Sequence, residues 1–245
     1  MQEIKERLHL LDALRGFAII NVVIYHFLYD YYVVSGLDPY WDAGLAVRVW
    51  QRLGCGLFVV IAGMAFHMSS GNLRRGLQLN LLGLVITAVT YFVMPSQVIY
   101  YGILNFFGCA LWLTALLAPC LKRVPARAGM AVCVALYLLT MNVRGGDAAI
   151  LGVLLWQWPA WLYSSDAFAL LGFHSSSFHS ADYVPLLPHI FLLWLGWYAY
   201  GWLVQNKLCG ILKTGNIRVL TLPGRHSLAI YLIHQPLLFA LGMLL

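Results

Sequence analysis

The sequence predicts an all-α integral membrane protein, a polytopic bundle of about seven transmembrane helices (eight as the alternative) with a cytoplasmic N-terminus. Three observations predict it. Of the 245 residues, 62% are hydrophobic and 10% charged, against about 25% charged in soluble domains. Apolar runs recur at roughly the 17–25 residues that one helical crossing needs. The alternating ten-residue pattern of a membrane β-barrel is missing.

The first span, 13–34, holds Asp12 and Arg15 at its entrance and shows no A-x-A-like cleavage site, so it reads as an uncleaved helix. Six more follow at 53–70, 76–94, 98–120, 127–143, 186–205 and 227–245. Segment 148–164 is apolar but short, carries Pro159 and crowds Trp156, Trp158 and Trp161 at one end. It reads as an interfacial helix, since Trp concentrates at membrane surfaces. Basic residues agree with this division. Seven spans with the N-terminus inside put 12 of the 15 Lys and Arg on the cytoplasmic side: Lys5, Arg7, Arg15, Arg74, Arg75, Lys122, Arg123, Arg127, Lys207, Lys213, Arg218 and Arg225. Making 148–164 a crossing moves the last four outside and leaves 8 against 7, which the positive-inside rule disfavours. The chain therefore reads as one transmembrane domain, 1–245, with an outer-face loop at 144–185 that contains the interfacial helix.

Totals exclude some classes. The net charge of +6 is distributed as membrane proteins distribute it, so no nucleic-acid partner is expected. Cys55, Cys109, Cys120, Cys133 and Cys209 lie scattered in apolar segments without metal-ligand spacing and read as small buried hydrophobes; no metal is expected.

Function is concentrated in Leu10–Asp30, which is apolar yet carries Asp12, Arg15, Asn21, His26 and Asp30. An Arg or Asp at membrane depth costs about 2.5–3.5 kcal/mol on insertion scales, and those that persist usually face a bundle interior. Eleven residues separate Arg15 from His26, which is three helical turns plus about 20° and an axial distance of about 16 Å. Both therefore share a face. His26 and Asp30 form an i,i+4 pair, close enough for the carboxylate to orient the imidazole.

Five stretches occur in order: LDALRGFAIINVVIYHFLYD, LFVVIAGMAFHMS followed by NLRRG, YYGILNFFG, ADYVPLLPHIFLLWLGWYAYG and GRHSLAIYLIHQPLL. Together they resemble the bacterial membrane family grouped with the catalytic domain of heparan-alpha-glucosaminide N-acetyltransferase, from about Arg7 to Leu238. Arg15-X10-His26 also resembles the signature of the wider transmembrane acyltransferases. The resemblance implies an acyl-CoA-dependent acyltransferase of the bacterial inner membrane. Such an enzyme moves an acyl group, acetyl by expectation, from cytoplasmic acyl-CoA to the amine or hydroxyl of a glycan or glycolipid at the far face. Two positions depart from the family pattern: Asn105 stands where a His is expected, and His189 where a Trp is expected.

Acylation needs a base to take the proton of the attacking amine or hydroxyl, and an imidazole suits that role. His26 is the candidate base, with Asp30 fixing its tautomer. Arg15, Arg74 and Arg75 are candidates for the coenzyme A phosphates, which guanidinium forks bind well. Asn105, His234 and Gln235 are candidates for the acyl pocket, and Asp182 and Tyr183 for the acceptor. The competing class is a small-molecule or lipid-linked sugar transporter or flippase, since an Arg, His and Asp line could relay protons. No inverted repeat supports that class. The reading is compatible with a homo-oligomer.

Overall fold

The computed structural model describes residues 7–150 and 153–242. The elements among them are α1 (His9–Tyr29), α2 (Leu45–Ala65), α3 (Asn72–Val93), α4 (Ile103–Leu121), α5 (Ala126–Thr140), β1 (Asp147–Ile150), β2 (Val153–Gln157), α6 (Leu186–Gln205), α7 (Arg218–Arg225) and α8 (Ser227–Gly242). They fall into two compact units, residues 1–61 with 203–245, and residues 62–202. Five segments are long and apolar enough to cross a membrane: His9–Val34, Leu45–Met68, Asn72–Val93, Ile103–Leu121 and Ala126–Gly145. The architecture is thus the expected helical membrane type. Helix α6 matches the sequence bounds 186–205; α8 begins where the last span was placed, and residues 243–245 lie outside the described residues, as do Lys5 and residues 151–152.

Lipid is as apolar as leucine, so helices in a bilayer associate through close packing at small residues and through polar contacts. The first unit follows this rule. A Cβ at Gly16 of α1 would lie 1.7 Å from the Leu220 carbonyl oxygen of α7, and one at Gly224 would lie 1.8 Å from the Asp12 carbonyl oxygen. Glycine at both positions lets the two backbones touch. Helix α1 does not stop at Tyr29 but widens into a π-helical turn, Asp30–Val34. Such turns interrupt the ordinary register and recur at functional sites.

The second unit contains the same device. Asn80 and Gly83 on α3 face Asn105 and Gly108 on α4. A Cβ at Gly83 would fall 2.5 Å from Asn105 Oδ1, and one at Gly108 2.4 Å from Asn80 Nδ2. Each asparagine occupies the space that the other helix's glycine leaves. Farther along, the Tyr198 ring lies over Gly129 and its hydroxyl donates to the Leu121 carbonyl at 3.1 Å. Ala126, Cys133, Trp197 and Tyr198 form a buried cluster there, flanked by Phe191 and Trp194. Leu187 has extended backbone (φ −90°, ψ 135°) inside α6, as expected for a residue before proline, so regular helix begins at Pro188.

Several elements differ from the sequence reading, the first being α2, which begins at Leu45 and not at the expected residue 53. The expected interfacial helix at 148–164 is instead an antiparallel hairpin, β1 with β2, followed by a 3-10 turn at Ala160–Tyr163. Gly146 adopts a left-handed conformation (φ 85°), open to glycine at no steric cost, and its carbonyl accepts from Trp158 N at 2.8 Å. That bond closes the strand pair at its open end, and Pro159 then ends strand pairing. The short helix α7 was also not anticipated.

Candidate active site

In the first unit, α1 presents its polar residues to α7 and α8. At one end, Asp12 takes Arg15 Nη1 at 3.6 Å and Arg225 Nε at 3.5 Å. Two guanidinium groups share one carboxylate. Arg225 was not singled out from sequence, because α7 was not foreseen.

Three turns along the same helix lies the second cluster. The rings of His26 and His234 meet edge-on, 5.0 Å between centroids. His234 is 6% exposed. Its Nδ1 lies 2.6 Å from the Tyr231 carbonyl oxygen. A carbonyl only accepts, so Nδ1 carries the hydrogen and Nε2 carries the lone pair of the neutral ring. Next to it on α8, Gln235 Nε2 donates to Asp30 Oδ2 at 3.2 Å and to Oδ1 at 3.4 Å. Thus His26, Asp30, His234 and Gln235 are gathered in one place, and Arg15 stands on the same helix about 16 Å away by helical rise.

Aromatic rings border this cluster. Tyr25 lies 5.7 Å from His26, 5.7 Å from Trp41 and 5.8 Å from Trp50. Asn21, one of the polar residues of the opening stretch, accepts the Trp50 indole N–H at 3.2 Å and donates to the Phe17 carbonyl at 2.8 Å. Its position within an apolar run was a signal of a buried bond; its partner was not readable.

The remaining candidates belong to the second unit. Arg74 and Arg75 are exposed in the first turn of α3. Helix N-termini attract anions, and two added cations strengthen that attraction. Asn105 is 8% exposed and donates to the Asn80 carbonyl at 3.5 Å, so its side chain joins α3 to α4. Asp182 packs against Gly102, at the start of α4. Val184 N donates to the Tyr101 carbonyl and Ala181 N to the Val98 carbonyl, which ties this strand of chain to the loop before α4. Tyr183 donates its hydroxyl hydrogen to the Ala169 carbonyl, and the Arg144 guanidinium lies 5.0 Å over its ring. Burial pushes the Tyr183 phenol above its usual range despite the opposing Arg144 charge. Both features make Tyr183 an anchor of the segment between β2 and α6. His67 donates Nε2–H to the Trp197 carbonyl at 3.0 Å and lies against the Tyr200 ring at 5.0 Å, a packing role in keeping with its place at the end of a span.

No curated protein and no solved structure matches the chain. The profile described as "Heparan-alpha-glucosaminide N-acetyltransferase, catalytic" matches residues 7–236. Every residue of both α1 clusters lies inside that match. The chain belongs to this family of membrane acetyltransferases, and acyltransferase activity in general comes with membership.

Proposed function

We propose that the chain is an acyl-CoA-dependent acyltransferase of the bacterial inner membrane. It spans the bilayer seven times with its N-terminus in the cytoplasm, and transfers an acyl group, acetyl first, to an amine or hydroxyl of a glycan or glycolipid at the outer face. The observation that carries this reading is the pairing of His26 with His234 and of Asp30 with Gln235 on the helix that also bears the Arg15–Asp12–Arg225 cluster.

Arg15 and Arg225 form a cationic seat for the donor's phosphates. An extended pantetheine arm reaches from a surface phosphate site to a thioester beside His26. His26 takes the proton of the attacking group, and Asp30 holds the imidazole in orientation and stabilises its charged form. His234 and Gln235 complete the wall of the acyl pocket.

Labelled acetyl-CoA turnover by protein in nanodiscs, wild type against His26→Ala, tests the assignment. Loss of turnover by at least about 10²-fold with donor binding retained is the expected result. A wild-type protein that neither binds nor consumes any acyl-CoA would overturn the reading, and substrate flux in vesicles would then point to the transporter class.

A further inference from the structure

The geometry points to His234 as a second proton carrier of the acyl transfer, passing the proton collected at His26 to the sulfur of the leaving coenzyme A; this inference rests on the proposed function. Three features of α8 carry it. The Nδ1–H of His234 is held by the Tyr231 carbonyl at 2.6 Å, so proton traffic on this ring is confined to Nε2. The ring is 6% exposed, so bulk water does not compete for that nitrogen. It stands against His26 at 5.0 Å between centroids, within reach of proton transfer directly or through one water.

Acyl transfer moves one proton from nucleophile to leaving group. The attacking nitrogen or oxygen forms its bond to the thioester carbonyl carbon while its proton passes to His26. The carbon–sulfur bond then breaks, and its electron pair leaves with sulfur as a thiolate. His26 hands its proton to His234 Nε2, and His234 delivers it to the thiolate. Acyl-CoA and acceptor become acylated acceptor and free thiol, and both rings end neutral, as they began. Neither ring stays charged between turnovers, which suits a site at membrane depth where a lasting charge is costly. Asp30, held by Gln235 on the neighbouring position of α8, stabilises the transient imidazolium. Tyr231 has a second role here: its carbonyl stays bonded to Nδ1 whether His234 is neutral or charged, so the ring need not turn during the cycle.

His234→Asn separates this role from a structural one, because the asparagine amide can still donate to the Tyr231 carbonyl but has no Nε2. The expected result in nanodiscs is a kcat lowered by roughly 10²–10⁴-fold, with KM for acetyl-CoA changed by no more than about threefold. Added imidazole should restore part of the rate to His234→Ala, as a packing defect would not allow. Turnover of His234→Asn within about threefold of wild type overturns the inference, as does a change confined to KM. Should His234→Asn fail to fold, a folded His234→Ala unresponsive to imidazole overturns it equally. In each of these cases wild-type turnover stands, so the proposed function survives; only an inactive wild type would remove both.

Discussion

Gln235 of α8 donates to both carboxylate oxygens of Asp30, at 3.2 and 3.4 Å, across 205 positions of sequence. Asp30 sits at the C-terminal cap of α1, where its backbone N–H already bonds the His26 and Phe27 carbonyls and the π turn begins. The side chain therefore holds α8 while the main chain remains part of α1. One residue sets the position of both helices around the two histidines.

Gln235→Leu should remove this tie without changing the bulk of the side chain much. A hydrogen bond to a charged group is worth about 1.5–3 kcal/mol, and denaturant unfolding in detergent should show a loss of that order. Acetyl transfer should fall as well, since Asp30 loses the group that aims it. A variant as stable and as active as wild type would separate Gln235 from the site.

The exchange of asparagine and glycine between α3 and α4 makes a second prediction. Gly83→Ala puts a methyl group 2.5 Å from Asn105 Oδ1, and overpacking of this kind costs about 1–3 kcal/mol. Removing the opposing amide in Gly83→Ala/Asn105→Ala should recover part of that loss, a coupling of about 0.5–3 kcal/mol in a double-mutant cycle. Asn105→His, the residue expected from the family pattern, should be destabilising for the same steric reason. Strict additivity of the two substitutions would show that the contact carries no energy.

The segment between β2 and α6 should loosen in acid. Ser175 donates both its hydroxyl, at 2.7 Å, and its backbone N–H, at 2.9 Å, to Asp166 Oδ1. These bonds hold the Asp166 carboxyl below the usual carboxylate range. A depressed folded pKa gives stability that is complete above the ordinary carboxylate pKa and disappears as pH falls through the lower, folded value. The Ser175 amide proton shift should follow that titration by NMR, with its midpoint below the usual carboxylate value, and Asp166→Ala should abolish it. A midpoint at or above the usual value would contradict the bonding described.

Part of this arrangement was legible in the sequence because it depends on local period. Arg15 and His26 share a face of α1 through helical geometry alone, and an ionisable residue in an apolar run announces a buried partner. The bounds of α6 follow from apolar length in the same way, whereas α3 starts at Asn72 and α4 at Ile103 against expected starts of 76 and 98. What stayed hidden depends on contacts between distant segments. The pairing of Gln235 with Asp30 leaves no mark on either neighbourhood. The seat of Asn105 against Gly83 is of the same kind: its counterpart, Asn80 over Gly108, becomes visible only when α3 lies against α4. The hairpin at Asp147–Gln157 was missed for a different reason. Its apolar residues carry no clear period, and a short apolar run fits a strand as well as a helix; the left-handed Gly146 decides it.

Asn80-Leu-Leu-Gly83 and Asn105-Phe-Phe-Gly108 share one spacing, so the contact between α3 and α4 fits in a single register. Sliding either helix by one residue would bring Asn105 against a leucine of α3 and Asn80 against Phe107 or Cys109. A lone helix entering lipid would also carry a bare asparagine into a medium that offers it no partner. Entering as a hairpin, the two helices hide both. The joint between them thus favours entry of α3 and α4 as a pair.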